Sequence, residues 1–99
     1  VAVTPLTGKQ KRYLRALGHH LEPVLLLGAK GVGEGVVREL AESLAVHELV
    51  KVRLGQGCDV DRKEAAAALS AATDAEVAQI LGKTILFYLP TKQRKIQLP

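Results

Sequence analysis

Between Val24 and Leu54 the hydrophobic spacing changes period twice, and that change constrains the fold more than any other feature of the chain. Val24 to Leu27 is a continuous apolar run closed by Gly28, which predicts a short strand covered on both faces. Val36, Val37, Leu40, Ala41 and Leu44 then recur at helical spacing, with Glu34, Arg38, Glu39 and Glu42 on the outward side. From Leu49 to Leu54, "LVKVRL", apolar residues alternate with Lys51 and Arg53, so one strand face is buried and the other is basic and open. Strand, helix and strand at this separation predict a right-handed βαβ crossover.

The flanking segments complete a small domain. Thr7 is an N-cap candidate for a helix to about His19, with Tyr13, Leu14, Leu17 and Leu21 on one side and Lys11, Arg12 and Arg15 on the other. Pro23 forces the chain out of helix. Asp61 with Glu64 resembles a capping box before the alanine-rich "KEAAAALSAAT", whose small side chains suit close packing on a sheet. "EVAQIL" and "TILFYL" flank Gly82-Lys83, the Gly-X pattern of a type II′ hairpin. Phe87 and Tyr88 point to opposite faces of their strand, so one of them is expected in the core. The resulting order is α-β-α-β-α-β-β: an α/β fold with a four-stranded mixed sheet, expected as a single two-layer domain over residues 1–99. With 99 residues, 47% of them hydrophobic, the chain suffices for one modest core without a large enclosed cavity.

Composition then narrows the function. No apolar run approaches the roughly 18 residues of a membrane span. "VAVTPLTGKQKR" lacks the basic-then-apolar order of a secretory signal, and the absence of Met points to a processed or trimmed start. One cysteine, Cys58, excludes an internal disulfide and is compatible with a reducing cytoplasm. The net charge of +4 is unevenly spread. Lys9, Lys11, Arg12 and Arg15 crowd the beginning, Lys92, Arg94 and Lys95 the end, and Glu34, Glu39, Glu42 and Glu48 occupy the middle. Such a distribution suits a polyanionic partner, although each basic cluster read alone is also an ordinary solvated face.

Four glycines, Gly28, Gly31, Gly33 and Gly35, sit at the strand-to-helix junction, where free amides and the helix dipole can hold a phosphate. The ATP/GTP loop is excluded, because Gly33 is followed by Glu34-Gly35 instead of Lys-Ser/Thr. The dinucleotide fingerprint would need glycine at Val36 or Arg38. What remains is Gly28-Ala29-Lys30-Gly31, a GxxG turn with a lysine at its tip. In KH domains such a turn clamps a nucleic-acid backbone, though there it joins two helices. The other reading is a plain strand-to-helix turn.

Taken in order, "LEPVLLLGAKG", "EGVVREL", "HELVKV", "LGKTILFY" and "PTKQRKI" resemble the CRM domain (chloroplast RNA splicing and ribosome maturation), of the stand-alone bacterial YhbY-like type, from about Leu6 to Leu98. The resemblance implies a fold similar to the C-terminal domain of the third bacterial translation initiation factor. It also implies RNA binding through the GxxG loop and nearby basic residues, and association with large-subunit ribosome precursors. Carried over by position, the loop is Gly28, Ala29, Lys30 and Gly31. Residues 1–5 form a short lead and 91–99 a basic tail. The chain departs from the common pattern at Val32-Gly33, where Leu-Thr is usual and a hydroxyl near the helix start is lost. It departs again at Leu89, where an Arg is usual.

The remaining chemistry-bearing residues form no reactive constellation. Adjacent His19 and His20 are expected to diverge on a helix, His47 has no Cys or Asp at ligand spacing, and Cys58 has no activating cation or His beside it. No Ser-His-Asp order or glycine-framed nucleophile appears, so no enzyme, cofactor or metal is expected. With Tyr13, Phe87 and Tyr88 the only aromatics, recognition is expected to rest on phosphates and shape. The expectation is a monomeric, cytoplasmic RNA-binding protein using Gly28, Ala29, Lys30 and Gly31 with Lys9, Lys11, Arg12, Arg15, Lys92, Arg94 and Lys95. Two alternatives stay open. One is a protein-interaction module that docks through its acidic second helix; the other is a binder of a small phosphorylated metabolite.

Overall fold

Thr7 opens the first helix, α1 (Gly8–Gly18), with a reciprocal cap: its hydroxyl accepts from the Gln10 amide at 3.1 Å, and the Gln10 side chain accepts from the Thr7 amide at 3.0 Å. The computed structural model describes residues 6–29, 31–93, 96 and 98. After α1 come β1 (Leu25–Leu27), α2 (Glu34–His47), β2 (Leu49–Leu54), α3 (Arg62–Thr73), β3 (Glu76–Leu81) and β4 (Thr84–Tyr88), the expected order. The Asp61 carboxylate starts α3 by accepting from the Lys63 and Glu64 amides. Gly82, at φ +58°, turns β3 into β4, and Lys83 stays out of the left-handed region, as a type II′ turn requires.

The sheet order is β1-β2-β4-β3. β1 lies parallel to β2, with Leu26 opposite Arg53, as the βαβ crossover demands. β4 runs antiparallel to both β2 and β3, and a bulge interrupts its pairing with β3 between Val77 and Gln79. Strand alternation divides the apolar residues between two cores. Leu25, Leu27, Val50, Val52, Leu54, Ile85 and Phe87 meet Leu40 and Leu44 of α2 and Ala65, Ala66 and Leu69 of α3. On the opposite face Leu14 of α1 packs with Leu49, Ala78, Leu86 and Tyr88, with Leu6, Ile96 and Leu98 at the margin.

Helices therefore cover both faces, and the architecture has three layers where the spacing suggested two. This places Phe87 and Tyr88 both in the core, one in each cluster, instead of one alone. Cover on the second face is partial. Leu14 and Gly18 are the buried residues of α1, while Tyr13, Leu17 and Leu21 stay exposed because no second helix among the described residues flanks them. Gly18 is tightly seated: a Cβ there would lie 2.7 Å from the Leu86 side chain. β1 is an edge strand, and α1 packs instead on β2, β4 and β3. Leu26 is consequently 64% exposed, so β1 is covered on one face and not on both.

The tail is fastened by a residue that carries no signal in the sequence. Glu48 follows α2 with φ 65° and is fully buried. Its carboxylate accepts from the Thr91 amide at 3.0 Å, from the Thr91 hydroxyl, and from the Ile96 amide at 2.9 Å. Its backbone carbonyl accepts from the Leu89 amide at 2.9 Å. A buried carboxylate is tolerated when several donors replace its water, which these tail groups do.

Candidate functional site

The glycine loop leaves the end of β1 and delivers the chain to α2. The Gly31 amide donates to the Gly28 carbonyl at 3.0 Å, closing a turn. Its two glycines serve different ends. Gly31 is buried at φ +64°, and a Cβ there would lie 2.7 Å from Val60, so the fold itself demands glycine. Gly28 is exposed, lies outside the positive-φ region, and a Cβ there would meet nothing within 4 Å. Gly28 leaves room that the protein does not use.

Beyond the loop, Gly33 is the N-cap of α2 and supplies no side-chain hydrogen bond. The first-turn amides of α2 therefore lack the hydroxyl acceptor that a Thr at this position would bring. Leu89, at the other departure from the common pattern, is half-buried against the α2/α3 core.

Among the described residues, the basic residues named from the sequence are Lys9, Lys11, Arg12, Arg15 and Lys92, all exposed. Lys9, Lys11, Arg12 and Arg15 are exposed on α1, whose first turn carries no acidic residue. The tail folds back over that same sheet face, with Ile96 and Leu98 packed on the α1 cluster and Lys92 exposed beside the anchored Thr91. Ala29 is exposed in the loop. Lys30, Arg94 and Lys95 lie outside the described residues. Glu34, Glu39 and Glu42 are exposed on α2, across the sheet. Arg38 is exposed among them, so α2 carries three exposed glutamates against one arginine.

Three further cations lie at the glycine-loop end of the sheet and were not among the candidate site residues. Arg53, exposed near the end of β2, follows from the "LVKVRL" alternation. Lys83 is at the hairpin tip, and Arg62 donates from its guanidinium to the Gly82 carbonyl at 2.9 Å. Nothing in the sequence links these three positions. Sheet pairing sets Arg53 opposite Thr84, next to the hairpin.

The rings of His19 and His20 meet edge-on, 5.2 Å apart, just beyond α1, instead of diverging along a helix. Cys58 is a free thiol, half-buried at the margin of the α2/α3 core. Among the described residues, no group of three or more His, Cys, Asp or Glu could hold a metal ion, and no helix is long and apolar enough to cross a membrane.

Residues 6–88 match the model of the CRS1 / YhbY (CRM) domain. The chain is 41% identical over 95 residues to the probable RNA-binding protein YqeI of Bacillus subtilis, covering 95% of this chain and 99% of that one. It is likewise 41% identical over 98 residues to an RNA-binding protein of Haemophilus influenzae, covering 98% of each. Among solved structures, it superposes with TM-score 0.82 and 42% identity on the hypothetical protein SAV1595 of Staphylococcus aureus, described as a candidate RNA binding protein. That match covers 95% of this chain and 99% of the other.

Proposed function

Given that the chain belongs to the CRS1/YhbY (CRM) domain family, we propose that it is a cytoplasmic RNA-binding protein, not an enzyme, that associates with ribosomal RNA in large-subunit precursors. The observation that carries this reading is Gly28. It is an exposed glycine that neither backbone conformation nor packing requires. An RNA backbone approaching the loop would use that space, with loop amides donating to phosphate and Lys30 supplying charge. Lys9, Lys11, Arg12 and Arg15, with Lys92, Arg94 and Lys95 of the tail, extend the contact. The basic surface of α1 suits a polyanion, while the three exposed glutamates of α2 disfavour its approach along that helix.

The test is binding to large-subunit ribosomal RNA across a salt series. Each phosphate contacted contributes about 0.7–0.9 to the slope of log affinity against log salt. Lys30→Ala is expected to weaken binding uniformly across RNAs and lower that slope by about one. Gly28→Asp, which fills open space with a negative charge, is expected to reduce affinity roughly tenfold without unfolding the protein. Gly31→Asp would confuse the issue, because a Cβ at Gly31 meets Val60. Unchanged binding in both Lys30→Ala and Gly28→Asp would return the loop to a plain turn.

A further inference from the structure

The α1 face of the sheet is not covered along its whole length. The C-terminal end of α1 reaches the level of Leu86, against Gly18, and of Lys51, whose Nζ donates to the Leu21 carbonyl at 3.0 Å. Lys51 and Leu86 are paired across β2 and β4. One step further toward the glycine loop, cover ends. The next row on this face is Leu26 of β1, Arg53 of β2, Thr84 of β4 and Leu81 of β3, paired in that order across all four strands. Leu26 is 64% and Leu81 67% exposed, the two most exposed large apolar side chains among the described residues. Arg53 is exposed between them, and the row carries no carboxylate. Adjacent strands lie about 4.8 Å apart, so the row spans roughly 14 Å. The glycine loop follows β1 at this end, and the hairpin with Lys83 closes the same end.

We propose that this row is a platform for the bases of single-stranded RNA, resting on the reading of the protein as an RNA binder. Leu26 and Leu81 offer aliphatic surface to unstacked bases, and the Arg53 guanidinium offers a plane on which a base can stack. Phosphates remain with the glycine loop and Lys83. The platform works without an aromatic of its own, and it adds base contacts to the phosphate and shape recognition expected from the sequence. A purely electrostatic surface has no use for two exposed leucines beside its arginine. A protein partner would favour one contiguous apolar patch over leucines separated by Arg53 and Thr84.

The test compares a labelled twelve-nucleotide single-stranded RNA with a blunt RNA duplex of the same length. The variants are Leu26→Thr/Leu81→Thr, which keeps charge and strand propensity, and Arg53→Lys, which keeps charge but loses the plane. Each is expected to weaken single-strand binding by about threefold to tenfold, leaving the salt slope and duplex binding unchanged. Thermal unfolding checks that the variants are folded. Wild-type affinity in both variants, or an equal loss on duplex, overturns the platform. If the wild-type chain binds neither RNA, the platform falls together with the RNA reading. If Gly28→Asp impairs single-strand binding while the row variants do not, the RNA reading stands and the platform alone is wrong.

Discussion

The two faces of the sheet are built from the same strands and end up with different fates. Beneath α2 and α3, Leu25, Leu27, Val50, Val52, Leu54, Ile85 and Phe87 are all buried. On the α1 side burial fades along the strands, from Leu49 and Tyr88 through half-buried Lys51 to exposed Arg53 and Leu26. Two helices span a four-stranded sheet, whereas one helix and a returning tail do not. The difference separates stability from binding: one face is committed to the core, and the other keeps a surface that can meet a partner.

The sharpest way to break this comparison uses adjacent residues of β1. Leu27→Ala, at a fully buried position, is expected to cost about 2–5 kcal/mol, while Leu26→Ala next to it should stay within about 0.5 kcal/mol. Urea denaturation of both variants decides the matter, and similar costs would mean that the second face is covered after all.

The latch holding the tail on the α1 face comes next. Glu48→Ala deprives the Thr91 and Ile96 amides of their acceptor, an expected cost of about 1–3 kcal/mol. Hydrogen exchange at the Ile96 amide should accelerate in this variant, and unchanged protection would show that apolar packing alone retains the tail.

Within the glycine loop the contrast is between its ends. Gly31→Ala meets both a positive φ and Val60, and should destabilise by about 1–3 kcal/mol. Gly28→Ala should leave the unfolding midpoint almost unmoved. Equal midpoints for the two variants would remove the structural distinction between the glycines. The smallest effect is expected at Gly33→Ser, where a hydroxyl N-cap should stabilise α2 by a few tenths of a kcal/mol, read as a slight rise in Tm.

Much of the fold was legible because its signals are local. Thr7 and Asp61 cap helices through amides two or three residues away, and Gly82 turns a hairpin through its own φ. The parallel pairing of β1 with β2 follows from the handedness of a crossover within one contiguous stretch. Of the candidate site, the loop and the basic residues of α1 were legible as residue types. That α1 shares a sheet face with Ile96 and Leu98 of the tail was not, because that depends on which side α1 packs. The two loop glycines also look alike in sequence, and only the fold tells them apart, through the positive φ of Gly31 and its contact with Val60, nearly thirty residues away.

The order of the elements, their caps and their turns follow from the residues alone, because each rests on interactions within a few positions. Long-range packing set the remainder. Glu48 receives its donors from residues 43 and 48 positions onward, so its burial could not be anticipated from an acid at a helix end. The row from Leu26 to Leu81 draws on four strands far apart in the chain, and it is exposed only because a single short helix stops one step short of it. Local chemistry chose the pieces, and the area that the helices could cover chose which of those pieces face outward.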